Sequence, residues 1–326
     1  MRAIVFDQPG DESVLHIADV PRPELAADQL RIRVHATAVN RADLLQRQGL
    51  YPPPPGASPV LGLECAGEVI DVGSAVGGWR PGERAMALLA GGGYAEEAVV
   101  HAGSAMRVPA ALSFDEAGAL PEVFLTAFLN IFLLGQPPSG GSVLVHGGGS
   151  GVGTAAISLC NLARLRVLVT AGSEEKCQRC LEHGADAAIN YREGDFAPRV
   201  REATAGKGVN VVLDSIGGRY LAGNLASLAV EGRLVIIGLM GGARAEIDLA
   251  ATLVRRLHVI GSTLRARSVE DKAAIASAFL ERFGSALEAG RLRPVVDRVL
   301  PLEQAAEAHR LMLASEHFGK IVLRVA

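Results

Sequence analysis

The stretch Ser142 to Ala156, SVLVHGGGSGVGTAA, constrains this chain more than any other. A short apolar run enters a cluster of glycines and leaves as a helix-like Ala/Ile/Leu pattern, which reads as strand, tight turn, helix. Glycines at such a turn let backbone N–H groups approach an anion closely. The positive end of the following helix then favours a pyrophosphate, so the geometry suits a dinucleotide. The spacing is not a full G-x-G-x-x-G, because Val152 stands where Gly147 and Gly149 would require the last glycine. Gly148, Gly151 and Gly153 form a related spacing, and a plain flexible turn is the alternative reading.

About 20 residues past the glycines of such a fold, an acidic side chain normally accepts the ribose 2′-hydroxyl. Here the strand Arg166 to Thr170 ends in Ala171-Gly172-Ser173. An acid at that tip would repel a 2′-phosphate, whereas Gly172 leaves room, Ser173 offers a hydroxyl and Lys176 a positive charge. NADPH is therefore expected over NADH. A helix start at Ser173 would direct Glu174 and Glu175 along the first turn, where they favour the dipole. Lys176 also reads as an ordinary solvated helix lysine.

At 326 residues the chain is long for one core and suggests two domains. Its 49% hydrophobic and 21% charged residues supply ample material for a buried interior. A net charge of −3 and an isoelectric point near 6.3 give no electrostatic case for nucleic acid or an anionic membrane. No secretory signal is visible in MRAIVFDQPG, and Val123 to Leu134 is too short to span a bilayer, so a cytoplasmic protein is expected. Four cysteines do not resemble a disulfide framework. Cys177-x-x-Cys180 lacks a second ligand pair and falls inside an apparent helix, which favours two thiols one turn apart over a metal half-site.

The N-terminal part reads as strands and turns, with a half-buried strand at Leu30 to Ala38 whose outward face carries His35. A short helix follows Asn40 and ends at Gly49. Pro52 to Pro55 then enforce an extended loop, so that Asn40 and Tyr51 flank one element and could both face a cleft. A helix cap and an aromatic packed on prolines are the equal alternatives for these two residues. Ser113-x-x-Glu116 predicts a capped turn that Pro121 ends or kinks, with a helix over Glu122 to Leu134. Strands Ala188–Tyr191, Val209–Leu213, Gly232–Gly238 and Leu257–Leu264 alternate with helical segments, which predicts a parallel sheet with helices on both faces. Ligands lie at the carboxyl ends of such strands, which places Ser215, Gly238 and Met240 at the nicotinamide end. The last 60 or so residues read as a long amphipathic helix, Val269 to Ala289, a strand at Val295–Val299, a helix around Glu303–Leu313 and a closing strand at Lys320–Val325.

The segments NRADLLQRQGLYPPPPGASPVLGLECAGEV, GERAMALLAGGGYAEEAVV, HGGGSGVGTAAI and GKIVL together resemble the medium-chain dehydrogenase/reductase superfamily. Within it the sequence is most similar to the zinc-free quinone oxidoreductases, particularly the p53-inducible type. The resemblance implies an α/β protein: a GroES-like, mainly β catalytic domain (1–118 and 265–326) plus a doubly wound parallel-sheet Rossmann domain (119–264) for NADPH. It also implies a homodimer joined near Leu257–Leu264, and a cofactor held in the cleft between the domains. Implied cofactor contacts are Asn40, Thr126 near the nicotinamide, Gly148, Ser150, Gly151, Val152, Gly153, Gly172, Ser173, Lys176, Tyr191 on the adenosine side, Ser215, Gly238, Met240, Thr263, Leu264 and Phe318.

Zinc-dependent members of the superfamily carry a cysteine where Asn40 stands and G-H-E where Gly62-Leu63-Glu64 stands. Amide, leucine and one carboxylate are a poor tetrahedral zinc set, so no metal is expected. The expected reaction is hydride transfer from NADPH to a quinone or another small electrophilic acceptor, with Asn40 and Tyr51 as substrate-binding candidates. No general acid stands out. An enoyl or alkenal double-bond reductase is the near alternative. A non-catalytic NADPH-binding protein, crystallin-like or RNA-binding, is the distant one, although no nucleic-acid or membrane partner is expected from the charge balance.

Overall fold

A computed structural model describes residues 1–325. Along the chain, β1 (Arg2–Val5), β2 (His16–Asp19) and β3 (Gln29–Ala38) precede helix α1 (Arg41–Arg47). Next come β4 (Glu64–Val72), β5 (Arg84–Leu88), β6 (Glu97–His101), β7 (Ala105–Arg107), α2 (Phe114–Ala117) and α3 (Pro121–Phe128). The alternating half follows: β8 (Ser142–His146), α4 (Gly151–Leu162), β9 (Arg166–Ala171), α5 (Glu174–Glu182), β10 (Ala187–Asn190), α6 (Phe196–Ala203), β11 (Val209–Asp214), α7 (Leu221–Ser227), β12 (Leu228–Ile236), α8 (Leu249–Arg255) and β13 (His258–Gly261). The chain closes with α9 (Val269–Glu288), β14 (Val296–Pro301), α10 (Ala305–Ala314) and β15 (Lys320–Arg324).

These elements form two units, one of Met1–Leu125 with the segment from Leu264 on, the other Thr126–Thr263. Residues 119–125, assigned from the sequence to the nucleotide domain, thus group with the first unit. Packing explains this: the Glu122 amide donates to Glu64 on β4, and Phe124 meets Phe279 of α9 with ring centroids 6.4 Å apart.

In the second unit six parallel strands run in the order β10-β9-β8-β11-β12-β13. The reversal of direction falls between β8 and β11, the position where such sheets bind ligands outside their carboxyl ends. Its central strands β8, β9 and β11 are buried on both faces, as their continuous Val/Leu runs demand, and α6 and α7 cover one face through Phe196, Val200 and Leu225. In the first unit β14-β15-β3-β4-β5-β7 form a mostly antiparallel sheet, and β6 adds to β3. Here alternation puts Leu30, Ile32 and Val34 of β3 into a core with Val69, Ala85 and Val100. No helix among the described residues is long and apolar enough to cross a membrane.

Two local expectations differ from the structure. Pro121 opens α3 rather than ending a helix, because the first helical position needs no N–H and its φ is already set. The helix expected over Glu122 to Leu134 is regular only to Phe128 and continues as a π-helical segment, Leu129–Gly135, stopped by Gln136 in the left-handed conformation (φ 47°).

Candidate functional site

In the second unit the glycine turn joins β8 to α4. Ser150 caps α4 by accepting the Gly153 N–H (3.0 Å), while the amides of Gly147 and Gly148 donate to Thr170 O of β9 (3.1 and 2.9 Å). The turn is thereby fixed. The N–H groups of Gly151 and Val152, in the first turn of α4, have no partner inside the helix and suit an anion. Gly153 is required by close approach: a Cβ there would lie 2.3 Å from Gly147 O.

At the tip of β9 the same economy recurs. A Cβ on Gly172 would lie 2.6 Å from the Tyr191 hydroxyl, so this glycine leaves room beside an aromatic that stands half exposed. Ser173 is the cap of α5 and accepts the Lys176 amide N–H at 3.2 Å, which leaves its hydroxyl proton free to donate. No carboxylate ends β9, and Glu174 and Glu175 lie exposed along the first turn of α5. Cys177 and Cys180 are free, buried helix thiols raised by desolvation, Cys180 to about 12. Ser215, Gly238 and Met240 come together beyond β11 and β12: the Met240 amide donates to Ser215 O (3.3 Å), and a Cβ on Gly238 would lie 2.9 Å from that oxygen.

Beneath these loops lies a network that sequence reasoning missed. His146 Nε2 meets Asn224 Oδ1 at 2.6 Å and Nδ1 meets Thr170 Oγ1 at 3.0 Å, while Asn224 donates to Asp214 Oδ2. Asp214 in turn accepts the amides of Ile216 and Gly217, which pins the loop carrying Ser215. Burial pushes His146 down to about 4, so it holds this network as a neutral ring. The residues span 78 positions, and only the strand-end placement of His146 and Asp214 hinted at it.

The first unit builds a different kind of site, from side chains. Asn40 precedes α1, but its side chain does not cap the helix: Nδ2 donates to Glu64 Oε1 (3.0 Å) and Ala38 O (3.1 Å), and Oδ1 accepts from Lys320 Nζ (2.6 Å). Asp43 supplies the cap by accepting the Asn40 amide. Asn40 thus keeps one acceptor lone pair and no free N–H. Lys320, fully buried, also donates to Val39 O (2.9 Å) and pairs with Glu64 Oε1 at 2.8 Å. The other Glu64 oxygen accepts the Glu122 amide at 2.9 Å. Desolvation pushes Asp43 up to about 6, against the amides of Asn40 and Gly62 that favour its ionised form.

Tyr51 lies under the Arg265 guanidinium, 5.4 Å from carbon to ring centroid, and its carbonyl accepts from Arg265. Arg265 also donates to Gln46 Oε1 (2.6 Å) and Ala90 O (2.8 Å), so the loop carrying Tyr51 is braced by a buried cation rather than by proline packing alone. Gln46, Pro52 to Pro55 and Arg265 line part of a cavity of about 1300 Å³ in this unit. Neither Lys320 nor Arg265 was singled out from the sequence. Of the remaining predicted contacts, Leu264 and Phe318 are buried in the first unit, and Thr126 and Thr263 belong to the second.

The zinc-binding dehydrogenase family matches residues 183–323, and the alcohol dehydrogenase GroES-like domain matches residues 26–110. Quinone oxidoreductase of Rattus norvegicus is 32% identical over 99% of this chain and 97% of its own. Among solved structures, an NAD-dependent alcohol dehydrogenase is 36% identical with a TM-score of 0.86, and Escherichia coli quinone oxidoreductase complexed with NADPH is 29% identical with a TM-score of 0.88; each match covers 100% of both chains.

The zinc named in one of these families does not fit the donor set here. Asn40 and Glu64 are both engaged by the Lys320 ammonium, and the neighbouring Cys65 is a buried thiol pushed up to about 12. Among the described residues no three His, Cys, Asp or Glu side chains are grouped to hold a metal. Kinship over the full length, together with the strand order of the second unit, assigns the chain to the quinone oxidoreductases of the medium-chain dehydrogenase/reductase superfamily.

Proposed function

We propose that the protein is an NADPH-dependent quinone oxidoreductase that works without zinc, its second unit binding the nucleotide and its first presenting the acceptor. One observation carries the zinc-free half of this reading. The buried Lys320–Glu64–Asn40 cluster satisfies with an ammonium the residues that stand where zinc-dependent members place metal ligands. Bound NADPH supplies a hydride, which a quinone accepts without a Lewis acid. The chain's part is to bind, orient and exclude water.

Ser150, Gly151, Val152 and Gly153, with Gly148 behind them, hold the pyrophosphate. Gly172, Ser173 and Lys176 take the 2′-phosphate beside Tyr191. Within the second unit, Thr126, Ser215, Gly238, Met240 and Thr263 serve the nicotinamide end. The NADPH complex of the Escherichia coli relative supports this choice of cofactor. Tyr51 and Asn40 orient the acceptor, Tyr51 through its hydroxyl and Asn40 through the acceptor lone pair that its Oδ1 keeps. The test is steady-state NADPH oxidation with 1,2-naphthoquinone. Tyr51→Phe and Asn40→Ala are expected to change quinone kinetics while NADPH binding holds. Unchanged kinetics in both would remove them from the site, and faster turnover of a 2-alkenal than of any quinone would make the protein a double-bond reductase.

The second unit's edge supports a homodimer. Among the described residues strand β13 pairs only with β12, and Leu249, Leu253 and Val254 of α8 are 70%, 77% and 73% exposed. Leu253→Asp is expected to shift the protein from dimer to monomer in size-exclusion chromatography. Four free, buried cysteines suit a reducing compartment, so cell fractionation should find the protein in the cytoplasm.

A further inference from the structure

At the start of α3 the Glu122 backbone amide donates to the Glu64 carboxylate, and the surroundings of the two carboxyl groups differ. Glu64 has both oxygens engaged: Oε1 by Lys320 Nζ (2.8 Å) and Asn40 Nδ2 (3.0 Å), Oε2 by the Glu122 amide (2.9 Å). Glu122 Oε2 is sealed from solvent and has no hydrogen-bond partner, although part of the residue is exposed. An ionised oxygen in that position would be desolvated and uncompensated, whereas a protonated one is an O–H waiting for an acceptor.

We propose that Glu122 is the proton donor of the reaction, delivering its carboxyl proton to the oxygen of the reduced quinone. This rests on the quinone reading above. The quinone, having gained a hydride's two electrons and one hydrogen, is a hydroquinone monoanion. The Glu122 O–H bond breaks, an O–H bond forms on the quinone oxygen, and the carboxylate regains its proton from solvent through the part of the residue that is exposed. The net change is one NADPH and one proton consumed per hydroquinone.

The titratable and charged groups that act electrostatically on Glu122, or feel its charge, are Glu64 on β4, Asp43 on α1, Lys320 on β15, Arg265 ahead of α9 and Lys272 on α9, with Tyr51 on the loop after α1. Desolvation, then the Glu64 charge, pushes Glu122 up to about 8, and Lys320 and Arg265 only partly offset this. A carboxylic acid with such a value keeps its proton at neutral pH and gives it up to a phenolate.

Two measurements test the assignment. Infrared pH titration of the purified protein should show a protonated-carboxyl band that disappears near pH 8 and is absent in Glu122→Gln. In NADPH-loaded enzyme, kcat for 1,2-naphthoquinone should fall on the alkaline side of the same value. Glu122→Gln should lower kcat about 10²-fold or more and abolish that limb while NADPH affinity holds. Glu122→Asp, which keeps an acid, should restore part of the rate and a shifted limb, and serves if the Gln variant does not fold. An active wild type with no such band, or a Gln variant that keeps the alkaline limb, overturns the donor role and leaves quinone reduction standing. A wild type that binds NADPH yet reduces no quinone overturns the quinone reading, and the donor role falls with it.

Discussion

The two units solve the problem of holding charge in opposite ways. The second uses backbone: from His146 to Lys176, one glycine turn, two helix starts and an acid-free strand tip bring together residues close in sequence, the surface proposed above for the phosphates. The first uses buried side chains: Lys320 reaches Asn40 across 280 positions, and Glu64 joins them from a third element. A backbone site costs little to bury because its N–H groups are oriented by local geometry. A buried ion cluster is stable only while every member is present.

Removing the cation should therefore have the largest effect. Lys320→Met leaves Glu64 buried without its partner and is expected to cost about 3–5 kcal/mol in urea unfolding. The double variant Lys320→Met/Glu64→Gln should recover much of that, and a single-variant loss under ~1 kcal/mol would break the comparison.

Acid should separate the units next. Burial pushes His146 in the second unit from 6.5 to about 4, so its contribution is full above pH 6.5 and is lost as pH falls toward 4. In the first unit His309 behaves alike, pushed from 6.5 to about 3, but Asp43 has the opposite sign: raised from 3.8 to about 6, it takes up a proton in the folded state and favours folding as pH falls through that window. His146→Gln should flatten the acid slope of stability between pH 6.5 and 4 by about 1.4 kcal/mol per pH unit, measured by denaturant unfolding across pH. An unchanged slope would mean that His146 is not held neutral.

The smallest expected effect sharpens the nucleotide side. Lys176→Ala should weaken NADPH binding about 10- to 100-fold, the worth of one charge-assisted contact, and leave NADH binding nearly unchanged by calorimetry. Equal losses for both cofactors would remove Lys176 from the 2′-phosphate.

Local signals were legible in proportion to how local their causes are. The long helix read as Val269 to Ala289 is Val269–Glu288, because a capping serine and a 3.6-residue apolar period act within one turn of each residue. The parallel strands were likewise visible as apolar runs between helices, and the glycine turn, the helix start at Ser173 and the acid-free end of β9 all lie where they were read, whereas the cap at Ser150 was not read. Pro121 was misread because one residue type either starts or stops a helix, and packing around Glu122 and Phe124 decides which.

By itself, then, the sequence determined the alternation of strands and helices and the glycine turn, since each depends on residue type and short-range spacing; the first domain's fold and the comparison with zinc-binding members came from the resemblance. Only the tertiary structure decided that Lys320 occupies Asn40 and Glu64, that Arg265 braces Tyr51, and that Glu122 is left with an unpartnered oxygen. Hydrogen bonds and desolvation depend on which groups meet in space, and residues 280 apart carry no local sign that they will.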